Sequence, residues 1–154
     1  MKILAIETSC DETAAAIVEN GTKVLASSVA TSIDMHKKTG GIIPENAARE
    51  QIVSIIPVIT ETLAKSMLYW DQVDALAVTF GPGLIGSLLV GVETAKTLSL
   101  LWKKPIVPVN HLVAHIYANF IGVNQPEFPT IALVVSGGHT DLVLFKDHGK
   151  YEYL

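Results

Sequence analysis

At 154 residues, 49% of them hydrophobic and 17% charged, the chain can bury one ordinary core and is too apolar for an extended disordered segment. Nothing in its net charge of −4 suggests a nucleic-acid footprint; an RNA contact would need a local basic patch, for which Lys37 with Lys38 and Lys103 with Lys104 are the candidates. A single cysteine, Cys10, excludes an internal disulfide framework and fits a reducing compartment.

The N-terminus carries one Lys2 before Glu7, Asp11 and Glu12, a pattern unlike a secretory signal, so the expected location is the cytoplasm. Lys2 to Ile6 and Thr13 to Val18 read as two short strands joined by the polar turn Glu7-Thr8-Ser9-Cys10-Asp11-Glu12. Asn20-Gly21 is a hairpin signal, and Lys23 to Ser28 follows as a third strand. Beyond a loop from Thr39 to Pro44, a helical pattern starts at Glu45, with Ile52, Ile56, Ile59 and Leu63 expected on its buried face. Pro57 lies inside that pattern and is expected to kink it. Val73 to Phe80 is a continuous apolar run, as in a buried parallel strand.

Gly81-Pro82-Gly83 then leads into an apolar helix over Leu84 to Trp102. Its Glu93 and Lys96 argue against a membrane span, so a buried helix is expected. Ile106 to Val109 reads as a strand and Asn110 to about Phe120 as a helix. This strand–helix alternation predicts an α/β fold with a mixed sheet. After a proline-bearing linker, Asn124 to Pro129, the stretch Ile131 to Phe145 repeats the opening hairpin. At an offset of 127 residues Ser9 meets Ser136 and Thr13 meets Thr140. The predicted organisation is one complete lobe over residues 1–128, then the first hairpin of a duplicate lobe over residues 129–154.

Four segments could carry chemistry. Ser136-Gly137-Gly138-His139-Thr140 lies between two strands, and its paired glycines let backbone N–H groups approach an anion, although a ligand-free hairpin turn reads the same way. The opening turn offers Thr8, Ser9 and Thr13 as hydroxyl donors and Asp11 and Glu12 as acids, or is simply a solvated turn. His111 and His115 fall at i and i+4 of a helix, a spacing that suits two ligands of one metal ion; an idle exposed pair is the alternative. Gly81-Pro82-Gly83 with Gly86 and Ser87 can bring a helix N-terminus near a ligand or pack helix against sheet.

Together these segments closely resemble the bacterial TsaD (YgjD) family, the tRNA N6-adenosine threonylcarbamoyltransferases. The resemblance runs through Ile3 to Thr13, His36 with Gly40-Gly41-Ile42 and Pro44-Glu45, Gly81-Pro82-Gly83, His111 with His115, and Ser136 to Thr140. It implies the actin/Hsp70/sugar-kinase (ASKHA) fold, two duplicated lobes around a nucleotide cleft, with the second lobe cut after its first hairpin. It also implies transfer of threonylcarbamoyl from threonylcarbamoyl-adenylate to N6 of adenosine 37 in tRNAs that read ANN codons. His111 and His115 match the family's ligands for one divalent metal, iron or zinc. Val134, Val135, Ser136, Gly137 and Gly138 match its substrate loop, with His139, Thr8 and Ser9 beside the adenylate or ATP. No catalytic residue is singled out.

Family members are about twice as long, and their third metal ligand, an aspartate, lies beyond this stretch. The fragment alone is therefore expected to be inactive. The family usually carries histidine where this chain has Gln51. The implied partners are TsaB- and TsaE-type proteins and tRNA, and a homodimer is expected in isolation, without membrane association. Three other readings compete. A metalloendopeptidase (O-sialoglycoprotein endopeptidase, the family's older label) lacks support because Leu112 stands where a zincin places glutamate. A scaffold like TsaB lacks the histidine pair and the Ser-Gly-Gly-His loop, and a sugar or acetate kinase has only the fold in its favour.

Overall fold

The structure, a computed structural model, describes residues 1–33, 37, 40–122, 125–135 and 140–154. The described chain forms two compact units, Met1–His111 and Leu112–Leu154.

In the first unit, alternating apolar residues build β1 (Lys2–Glu7) and β2 (Glu12–Glu19), paired antiparallel so that Leu4 meets Ile17 and Ile6 meets Ala15. β2 turns into β3 (Lys23–Thr31) through Asn20, Gly21 and Thr22; Asn20 and Gly21 are both at positive φ (53° and 79°), and the Thr22 N–H donates to Glu19 O to close the tight turn. β4 (Ala75–Gly81) lies parallel to β1, and β5 (Ile106–Asn110) lies parallel to β4. The resulting order β3-β2-β1-β4-β5 is the mixed sheet the sequence predicts.

Two helices cover one face of this sheet. Helix α1 (Pro44–Ser66) begins on a proline, whose missing N–H costs nothing in the first turn, and runs as one element through an exposed Pro57. Its buried stripe is Ala47, Gln51, Ile55, Val58, Ile59 and Thr62, with Leu63 partly buried beside it. Ile52 and Ile56, expected in the core, are exposed instead. The stripe is built from small and polar residues as much as from aliphatic ones, so a count of isoleucines points to the wrong side. Ile55, Val58 and Ile59 each contribute about 1.5–3 kcal/mol by leaving water.

Helix α2 (Ile85–Trp102) also departs from expectation, because most of its apolar surface is not buried. Only Ser87, Gly91 and Ala95, one per turn, are fully buried; Val90, Val92, Leu98 and Trp102 are partly buried against the core, and Ile85, Leu89, Leu100 and Leu101 are exposed. Small side chains let the helix axis come close to the sheet, and the bulkier residues are thereby turned outward. By length and composition α2 is the one described helix that could cross a membrane, yet it packs on β4 and α1 through this small-residue seam. Leu4, Ile6, Ile17, Val73, Leu76 and Val78 complete the core beneath the helices.

Helix α3 (His111–Tyr117) starts on the last residue of the first unit and is followed by a short 3₁₀ turn, Ala118–Phe120. The second unit continues as the antiparallel sheet β6 (Thr130–Val135), β7 (Thr140–Asp147) and β8 (Lys150–Tyr153). β8 goes beyond the expected hairpin. Ile116, Val143 and Phe145 form its small core with Tyr117, Phe128, Ala132 and Val134 around them. The β6/β7 register reproduces that of β1/β2 at the same 127-residue offset: Leu4↔Ile17 becomes Ile131↔Leu144, and Ile6↔Ala15 becomes Leu133↔Leu142.

Candidate functional site

In the first unit the opening turn is clamped from two sides. From α1, the Gln51 amide nitrogen donates to the carbonyls of Cys10 (3.0 Å), Glu12 (3.1 Å) and Thr8 (3.5 Å), spanning the turn with one buried side chain. From α2, the Ser87 hydroxyl donates to Cys10 O (3.2 Å), while Thr8 Oγ1 donates back to Ser87 O (2.8 Å). Gly91 faces Thr8 so closely that a Cβ there would collide with Thr8 Oγ1. Gly83 lies against Ser9 in the same way, and the Leu84 N–H donates to Ser9 O at 2.7 Å. The Gly81-Pro82-Gly83 segment thus packs the helix start onto the turn.

Thr8 and Ser9 are both buried, and the Thr8 hydroxyl is used inside the fold. Ser9 is turned toward His111, its Oγ lying 3.2 Å from the imidazole Nδ1. Glu7 completes the group: Oε1 accepts the Ser9 N–H at 2.6 Å, and Oε2 lies 3.4 Å from His111 Nδ1. Burial raises the Glu7 pKa. Hydrogen bonds from the Ser9 hydroxyl, Thr79 and the Ser9 amide, with His111 nearby, outweigh that and hold the carboxyl below its usual range. At Cys10, burial and then the neighbouring Asp11 push the thiol up, so it stays protonated near neutral pH and makes a poor nucleophile.

In the second unit, His115 is exposed and lines a cavity of about 480 Å³ together with Ile116, Asn119, Phe120 and the β6 backbone strip from Thr130 to Val135. Val134 packs on the unit's core, and Val135, at the end of β6, is exposed. Ser136, Gly137, Gly138 and His139 lie outside the described residues, as does His36. Among the described residues no three His, Cys, Asp or Glu side chains gather as a metal cluster.

The structure therefore brings together Ser9 and His111 from the expected set and adds Glu7, Thr79 and Gln51, which pattern reading did not assign to a site. Glu7 and His111 are 104 residues apart, so no spacing rule links them. Gln51 stands out in the sequence only as the position where the family usually carries histidine; the partners it needs as a polar residue on a buried face become visible once α1 is placed.

Comparison with known proteins gives a consistent result. The sequence model of TsaD, tRNA N6-adenosine threonylcarbamoyltransferase, matches residues 23–154. A protein of that name from Anaeromyxobacter sp. strain Fw109-5 is 53% identical over 154 residues, covering all of this chain and 46% of the relative. One from Bacillus licheniformis is 52% identical over 152 residues, covering 99% of this chain and 44% of the relative. The chain thus spans about half the length of the curated relatives it matches. Among solved structures, YeaZ from Pseudomonas aeruginosa superposes with a TM-score of 0.63 at 15% identity, over 100% of this chain and 66% of that one. The Aquifex aeolicus PPX-GPPA enzyme gives 0.54 at 14%, over 100% and 51%. At these identities the structural likeness speaks for the fold alone. The chain belongs to the TsaD family of tRNA N6-adenosine threonylcarbamoyltransferases.

Proposed function

We propose that this chain is the front portion of an enzyme that moves threonylcarbamoyl from threonylcarbamoyl-adenylate to N6 of adenosine 37 in tRNA. The observation that carries the proposal is the family match over residues 23–154. The reaction forms a bond from N6 to the carbamoyl carbon, breaks that carbon's bond to the phosphate oxygen, and releases AMP and the N6 proton. Such a transfer needs an oriented carbonyl and a place for developing negative charge.

His111 and His115 would hold one divalent iron or zinc ion. The donor chemistry fits: both side chains are imidazoles, and Nδ1 of His111 is engaged by oxygen atoms, as in protein metal sites generally. When bound, the ion would polarise the carbamoyl carbonyl or hold the adenylate. The chain's own residues do the rest. The clamped turn from Thr8 to Glu12 gives His111 a rigid neighbour. Thr8, Ser9 and the stretch Val134 to His139 are the residues that the family resemblance proposes for binding adenylate or ATP.

The repeated hairpin register supports the finer fold reading, a complete ASKHA lobe followed by the beginning of its duplicate. TsaB- and TsaE-type proteins and tRNA are the proposed partners of the longer protein in the cytoplasm. The exposed apolar residues of α2 and β6 would favour a homodimer of this chain in isolation.

The test is nucleoside mass spectrometry of tRNA incubated with threonylcarbamoyl-adenylate and the partner proteins. The purified 154-residue chain is expected to form no threonylcarbamoyl-adenosine. Robust formation by that chain would contradict the incomplete-site part of the proposal.

A further inference from the structure

We propose that Glu7 is the positioning residue of His111, fixing its imidazole as the Nδ1–H tautomer and making Nε2 the nitrogen that carries the lone pair. The argument uses three distances in one place. Glu7 Oε1 already accepts the Ser9 N–H at 2.6 Å, which anchors the carboxylate. Its second oxygen, Oε2, lies 3.4 Å from His111 Nδ1, and the Ser9 hydroxyl lies 3.2 Å from the same nitrogen.

An ionised carboxylate only accepts hydrogen bonds. If Nδ1 carried a lone pair, it would face the Oε2 lone pairs with no proton between them. The Ser9 hydroxyl oxygen, on the same side of the ring, has lone pairs of its own and can accept from Nδ1–H together with Oε2. With the proton on Nδ1, the N–H faces both oxygens and no ring lone pair meets the carboxylate. The other ring nitrogen then holds the lone pair.

This deepens the metal-ligand reading of His111 and rests on it for its purpose, because a ligating nitrogen must offer a lone pair. The tautomer itself is set without any metal. Carboxylates in this position commonly orient ligand histidines, and removing one weakens metal binding by about ten- to a hundredfold.

Long-range ¹⁵N–¹H spectra of the metal-free chain, at a pH where imidazole is neutral, read the tautomer directly. Wild type is expected to show His111 as Nδ1–H; a dominant Nε2–H form would overturn the assignment. In Glu7→Gln the amide oxygen must stay on the Ser9 N–H, which turns the amide NH₂ toward Nδ1. His111 is then expected to switch to Nε2–H, and an unchanged tautomer in the folded variant would overturn the role of Glu7. Ser9→Ala keeps the carboxylate and is expected to keep Nδ1–H; a switch there would assign the role to Ser9 instead. Zn²⁺ titrated alone should bind Glu7→Gln about ten- to a hundredfold more weakly than wild type. Equal, measurable affinities would overturn the positioning role. If Zn²⁺ bound neither protein while the tautomer switched as expected, the metal would leave the proposed function and the Glu7 assignment would stand.

Discussion

The two hairpins, β1/β2 and β6/β7, share a register and bury opposite faces. Leu4 and Ile6 are 0% and 2% exposed, whereas their counterparts Ile131 and Leu133 are 61% and 64% exposed. The second hairpin instead buries Val143 and Phe145, the counterparts of the half-covered Ala16 and Val18. Register follows from backbone pairing and the side-chain period of two. Burial follows from what lies on each face. α1 and α2 cover the first hairpin's Leu4 face, while Ile116, Tyr117 and Phe128 cover the second hairpin's opposite face. Equal sequence patterns therefore report equal pairing, not equal burial.

The largest effect expected from this contrast is at its centre. Leu4→Ala should cost about 2–5 kcal/mol in denaturant unfolding, as for a large-to-small change in a packed core. Ile131→Ala should stay within about 0.5 kcal/mol in the same chain. Equal losses at the two positions would break the comparison.

A smaller loss should follow at the seam that holds the first hairpin's turn. In a free helix Gly→Ala gains about 1 kcal/mol. At Gly91 the new Cβ meets the Thr8 hydroxyl, so Gly91→Ala should be a net loss of about 1–3 kcal/mol. A gain in melting temperature would mean the seam is looser than described. Gln51→Ala should cost about 1–3 kcal/mol, since the turn carbonyls lose a buried donor, with hydrogen exchange at Thr8 to Glu12 rising alongside.

The smallest expected effect is electrostatic. Because the folded-state pKa of Glu7 is depressed, its contribution is present above the ordinary carboxylate range and fades as pH falls through the folded value. Unfolding measured across the acid range should therefore show a steeper loss in wild type than in Glu7→Gln, and parallel curves would contradict that shift.

Much of the first unit could be read in advance, because alternation, Asn20-Gly21 and the apolar run into β4 report local geometry directly. The helix faces could not. α1 sets Ala47, Gln51 and Thr62 inside and Ile52 outside, and α2 sinks Ser87, Gly91 and Ala95 while Leu100 and Leu101 face out. Both seams depend on close approach, which hydrophobicity does not encode. β8 escaped notice because four residues are too short a run for the polar–aromatic alternation of Lys150-Tyr151-Glu152-Tyr153 to stand out, and all four are exposed. For the site, the His111/His115 spacing was visible along the helix. The Glu7 and Ser9 contacts were not, since the sheet brings them from more than a hundred residues away.

The most direct test of the functional account replaces the matching front portion of the Anaeromyxobacter relative with residues 1–154. The chimera is then expressed in cells depleted of their own enzyme, and threonylcarbamoyl-adenosine in bulk tRNA is quantified. The chimera should restore the modified nucleoside, and the same chimera carrying His111→Ala should not. A stably expressed chimera that leaves tRNA unmodified, or a His111→Ala version that works equally well, would contradict the account.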